Sequence, residues 1–247
     1  MMLLSLLAVS TVIWSQEVES PSKNQTDSKG LKQGYWEEQV NRQWQKGYYK
    51  DGLKTGTWRT YHPQGFINEV AEFQQGKRHG LRLEIDRRGY LLVEEYFKNG
   101  LLDGPSINYM PGGRPQVEQW YKEGKPWGLK KIYYENGKPQ EQSYYVNGQR
   151  HGTSRWFYRD GKLAAEYNYT NGDLDGQQKT YAKTGQLEKI ENYKKGILEG
   201  EYQEFYPDGK VKVSGNYVNG EKDGKWIEYS QEGNVLKTTK FVKGKEK

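Results

Sequence analysis

The chain has 247 residues, a net charge of +6 and no cysteine, which excludes a disulfide framework, thiolate catalysis, iron–sulfur clusters and cysteine-ligated zinc. Leu, Ile, Val and Phe total only 45 residues, poor material for a conventional two-layer core, while 29 Tyr and Trp supply apolar area that this count misses. The composition implies one folded array and not two ordinary globular domains.

Met1 to Trp14 reads MMLLSLLAVSTVIW, without a charge and shorter than the roughly 17–25 apolar residues that span a bilayer. It fits the apolar core of a secretory signal peptide, with the small Ser15 placed for cleavage before Gln16, so residues 1–15 are expected to be an export signal. No cysteine follows the run, which argues against a lipoprotein anchor. Residues 16–29 are polar and without hydrophobic periodicity, and a disordered leader is expected there. The expected location is exported: periplasmic, outer-membrane-associated or secreted.

From residue 30 to residue 247 a repeat governs the sequence. Gly52, Gly76, Gly100, Gly124, Gly148, Gly172, Gly196, Gly220 and Gly244 recur every 24 residues. A second glycine column follows four residues later, from Gly56 to Gly224, and a third nine residues after that, from Gly65 to Gly233. Gly30 and Gly34 open a shortened first unit; Gly47, Gly112 and Gly215 stand outside the columns. Aromatics keep the same beat. Tyr49, Phe73, Phe97, Tyr121, Tyr145, Tyr169, Tyr193, Tyr217 and Phe241 form one column, and a second runs from Tyr61 to Tyr229, broken only by Ile85.

Within residues 145–169, Asn147-Gly148 and Asp160-Gly161 are tight-turn signals, and TSRWFY and KLAAEYNY between them are rich in strand formers. Each unit is therefore expected to be a β-hairpin. A turn signal every 11 to 13 residues leaves little room for helices. The fold expected is all-β: an elongated single antiparallel sheet of about nine 24-residue hairpins and 17 or 18 strands. A lone hairpin cannot hide its apolar face, so the two aromatic columns, stacking from unit to unit, are expected to be the core.

The aromatic-x-x-G-x-x-x-G-x-x-x-x-aromatic-x-x-x-G rhythm, as in Tyr217-Val218-Asn219-Gly220-Glu221-Lys222-Asp223-Gly224-Lys225-Trp226-Ile227-Glu228-Tyr229, resembles the MORN repeat, in particular the longer bacterial variant of proteins labelled YwqK-like antitoxins. The resemblance covers about 30–247. It implies an elongated antiparallel meander that binds and does not catalyse.

The residues agree on catalysis. His79 and His151 share one slot three units apart, too distant to share a metal or a proton. No G-x-S-x-G elbow is present, and no carboxylate pair breaks the periodicity. The array reads as non-enzymatic, without cofactor or metal. Its charge is dilute and interspersed, unlike a nucleic-acid stripe, so no nucleic-acid partner is expected. Aromatics outside the columns mark the candidate partner surface: Trp120, Tyr134, Tyr144, Trp156 and Tyr158, on neighbouring units in the middle of the array. The partner expected first is a protein at the bacterial envelope. An envelope glycan or lipid is the alternative, and a toxin held in the manner of an antitoxin or immunity protein is a third, resting on the resemblance.

Overall fold

Nine dipeptides set the course of the backbone. In each, a residue with φ of 49–52° (Asp51, Gln75, Asn99, Glu123, Asn147, Asn171, Lys195, Asn219, Lys243) precedes a first-column glycine that also has positive φ. Two consecutive residues in the left-handed region make a type I′ turn, whose twist matches that of the strands it joins. Lys50 accordingly pairs with Leu53, and Val146 with Gln149, across two-residue loops. At the other end of each hairpin the loop is longer. His62 N–H donates to the Phe66 carbonyl and Gly65 N–H to the His62 carbonyl, both at 2.8 Å, and Gly65 sits at φ +89°. The same five-residue pattern recurs from Asp86 to Ser230 and shifts the register by one residue at each tip.

A computed structural model describes residues 22–247; the export signal expected over 1–15 and residues 16–21 of the leader lie outside them. The described residues form one antiparallel sheet of 23 strands, in which the long strands pair in chain order, with no helix. Three two-residue strands, Gln149–Arg150, Asp173–Leu174 and Ile197–Leu198, are the leading ends of the strands that follow them, cut off by one residue. With those joined, and the short Gln25–Thr26 and Lys245–Glu246 set aside, eighteen long strands remain, as the hairpin count implies.

The chain start departs from expectation in two places. Residues 23–29, read as flexible from their polarity, are paired: Gln25–Thr26 lies against Lys32–Gln33, and Asn24 bridges to the Glu37 backbone through both its side-chain amide and its side-chain carbonyl. Gly30 closes a five-residue tip of the second kind, its N–H donating to the Asp27 carbonyl, and does not belong to a type I′ turn. The first unit is short because its own tip, Asn41-Arg42, is a two-residue turn with φ of 50° and 66°. Arginine pays a steric penalty in that pose which glycine avoids. Arg42→Gly is therefore expected to stabilise the array by about 0.5–1 kcal/mol, read as a raised urea midpoint at unchanged slope. An unchanged or lowered midpoint contradicts this turn assignment.

The register separates the sheet into two unlike faces. Cross-strand partners Trp58, Ala71, Arg82, Glu95, Ser106, Gln119, Lys130 and Ser143 line up on one face, and the ladder continues to Trp226 and Thr239. Every buried side chain, including Trp58, Ala71, Ser143, Ser154, Gln178 and Trp226, belongs to this face, called here the closed face. The two aromatic columns are not the core as expected. All their side chains are only half-buried, and they flank the ladder on opposite faces: the Tyr49 column on the closed face, the Tyr61 column on the other. A one-layer sheet explains this. Only a side chain surrounded by neighbours along the strand and across both adjacent strands loses its solvent, and the columns lie toward the strand ends.

Gly47 and Gly215, outside the glycine columns, are the glycines with ordinary φ. They lie under the indoles of Trp58 and Trp226, whose Nε1–H groups donate to the carbonyls of Tyr48 and Asn216 at 3.1 and 3.2 Å. Between these two plugs the ladder is mainly polar. Arg82 fills the slot of Trp58 one unit on and binds Glu69, Glu84 and Glu95 at 2.7, 2.7 and 2.9 Å.

Candidate interaction surface

The closed face pairs most of its polar groups internally, leaving Arg150 Nε and Ser154 Oγ without a partner among the described residues. Lys54 and Lys222 sit over the rings of Trp58 and Trp226 at 4.0 and 4.1 Å, and Arg150 binds Glu141 at 2.8 Å while lying over Trp156. Glu38, engaged by Lys32 and by Tyr49 Oη at 2.8 Å, is held below the usual carboxylate range although burial opposes it.

The other face is open. The row beside its type I′ turns runs strand by strand through Leu81, Tyr96, Pro105, Trp120, Leu129 and Tyr144, each ring paired directly with the aliphatic residue on the preceding strand. Trp120, Tyr144 and Leu129 are 53%, 43% and 40% exposed. Past Tyr144 the same row turns polar: Thr153, Asn168, Gln177 and Asn192. Beside the rings, toward the tips, lie Glu94 and Glu118. Glu94 accepts from Tyr109 Oη at 3.0 Å and Tyr96 Oη at 3.4 Å, and has no ion-pair partner among the described residues.

The sheet divides the expected aromatic strip. Trp120 and Tyr144 stand together on the open face, joined by Tyr96, Leu129 and Pro105, which the expected strip did not include. Trp156 lies on the closed face, its ring 5.1 Å from that of Tyr167. Tyr134 and Tyr158 sit at the hairpin tips and donate their hydroxyls to the carbonyls of Phe157 and Tyr181 in the next unit, at 2.7 and 2.6 Å; Tyr206 does the same to Tyr229. In each case the acceptor is a backbone carbonyl 23 residues further on. A cavity of about 550 Å³ opens at the tips among Met110, Arg114, Tyr133, Tyr134, Gln140 and Arg159, on the same units as Trp120 and Tyr144.

The slot of His79 and His151 has a backbone role. His79 Nδ1, Asp103, Glu199 and Asp223 each accept the N–H of the left-handed residue in the following type I′ turn, at 2.7–3.4 Å.

The tyrosines give the fold a pH limit. Burial, then Glu94 for Tyr109 and Glu204 for Tyr202, pushes these phenols up to about 12, and burial raises Tyr121, Tyr169, Tyr193 and Tyr217 as well. A folded-state value above the unfolded one means stability that is complete below pH 10 and is lost as pH rises toward about 12. Tyrosinate absorbance and circular dichroism should therefore change together above pH 10. Tyrosines ionising near 10 with the sheet intact would contradict this.

No curated protein matches the chain. Four consecutive stretches, residues 128–147, 150–171, 174–195 and 198–219, each match the family model described as MORN repeat variant, and such repeats are generally protein- or membrane-interaction modules on a typically non-catalytic scaffold.

Proposed function

We propose that this protein is an exported, non-enzymatic scaffold that holds a protein partner at the bacterial envelope. The observation that carries the reading is the contrast between the faces. One consumes its rings and charges internally, while the other leaves Trp120, Leu129 and Tyr144 exposed in one row. Contiguous exposed apolar area on a soluble array marks an interaction site, and aromatic anchors dominate binding energy at such sites. Export is the reading of Met1–Trp14. Affinity capture from envelope extract tests the whole. The mature chain should retain a protein that the Trp120→Ala/Tyr144→Ala double variant loses, while its thermal unfolding is unchanged. Retention by both forms, or accumulation of the full chain in the cytoplasm on fractionation, sinks the corresponding part.

The runner-up, an envelope glycan or lipid ligand, draws on the same exposed rings and on the tip cavity with its arginines.

A further inference from the structure

We infer that the open-face row is a groove for a proline-rich segment carrying arginine or lysine, bound in the polyproline II conformation; this rests on the protein-partner reading above. Tyr96, Trp120 and Tyr144 occupy every second strand, so successive rings stand about 9.6 Å apart, two strand spacings. A polyproline II helix repeats every three residues at about 3.1 Å each, or about 9.3 Å per turn. One ring therefore meets each turn of such a ligand. The valleys between rings are floored by Pro105 and Leu129, giving two apolar slots one turn apart, suited to prolines at positions i and i+3.

The polar groups suit the same ligand. A polyproline II backbone makes no internal hydrogen bonds and offers its carbonyls outward. Trp120 Nε1 and Tyr144 Oη stand in the row as donors. On the tip side, Glu94 is a carboxylate held by two tyrosine hydroxyls with no cation among the described residues, and Glu118 is 3.9 Å from Lys131. Glu94 supplies the charge complement for an arginine or lysine of the ligand. On the turn side the strands end in Lys98 and Lys122. From Leu81 to Tyr144 the row crosses five strand spacings, about 24 Å, room for about eight residues of polyproline II.

Other peptide modes fit less well. Strand addition needs a sheet edge, and this row lies on a face. A helix about 10 Å wide would override a track one ring wide between charged flanks.

Titration calorimetry decides. The probe is a peptide of about nine residues with prolines at i and i+3 and a flanking arginine. The comparisons are a scrambled peptide of the same composition, the arginine-to-glutamate peptide, soluble β-1,4-linked N-acetylglucosamine oligomers, and vesicles of anionic phospholipid. The proline-rich arginine peptide alone should bind, and Trp120→Ala should weaken it at least tenfold while Trp120→Phe largely restores it. Glu94→Gln should abolish the preference for arginine over glutamate, and Asn192→Ala, in the polar half, should change nothing. Equal binding of the scrambled peptide, Trp120-dependent binding of the oligomers or vesicles in its place, or no binding at millimolar peptide overturns the inference. If envelope capture through Trp120 and Tyr144 succeeds with a protein lacking such a segment, this inference falls and the scaffold reading stands. If that capture also fails, both fall.

Discussion

Gly47→Val is expected to destabilise the array by about 3–5 kcal/mol, the range of severe core disruption. A Cβ at Gly47 would stand 2.5 Å from Trp58 Cε2 and 2.6 Å from Trp58 Cγ, so the indole must leave its seat. Trp58 is 3% exposed and ties its Nε1–H to Tyr48, so displacement forfeits both burial and that hydrogen bond. The contact is testable as a pair. In a Trp58→Ala background the valine has room, and its further cost should drop to about 1 kcal/mol or less, a large coupling by double-mutant cycle in urea. Equal losses in both backgrounds would mean that the glycine serves something other than the tryptophan. Gly215 under Trp226, seven units on, should behave alike.

Gly148→Val should act through the backbone alone. The nearest atom to a Cβ there is Pro126 Cδ at 3.9 Å, so space is available, but φ is +86° and Asn147 before it is at 50°. A β-branched residue in that pose costs about 1–3 kcal/mol. The Gly148 N–H also donates to the Pro126 carbonyl at 2.8 Å, a stitch between neighbouring units that a distorted turn loosens. Units in such an array contact their neighbours, so the damage should stay local. Hydrogen exchange is expected to quicken around residues 126–150 while protection near Trp58 and Trp226 holds. His151→Ala, an exposed change in the same connection, should cost no more than about 0.5 kcal/mol. Unchanged local protection in the valine variant, or a large effect of His151→Ala, would contradict the turn account.

The repeat length, the hairpin unit and the place of the nine tight turns were legible in the sequence, because a φ > 0 position in each is held by a first-column glycine; the other left-handed position, filled by Gln75, Glu123, Lys195 and Lys243 as well as by Asp51 and asparagines, was not. The hairpin count followed from the same spacing. Tertiary structure decided which columns are buried. Hydrophobic character pointed to Tyr49, Tyr61 and their equivalents, but burial in a single layer depends on how many neighbours surround a side chain. That placed Ser143, Ser154 and Gln178 deeper than any column ring. Parity was equally invisible. At the second-column glycines the register slips by two residues, from Lys46↔Arg59 to Tyr48↔Thr55, which keeps alternation, while each five-residue tip shifts it by one, from Thr60↔Glu69 to Tyr61↔Ile67. Trp120 stands before Tyr121 of the first aromatic column and Trp156 before Phe157 of the second, and because those columns face opposite sides the two tryptophans do as well. The sequence determined the turns and their period, since those depend on φ at individual residues; which rings face a partner depends on register between strands, which only the assembled sheet contains.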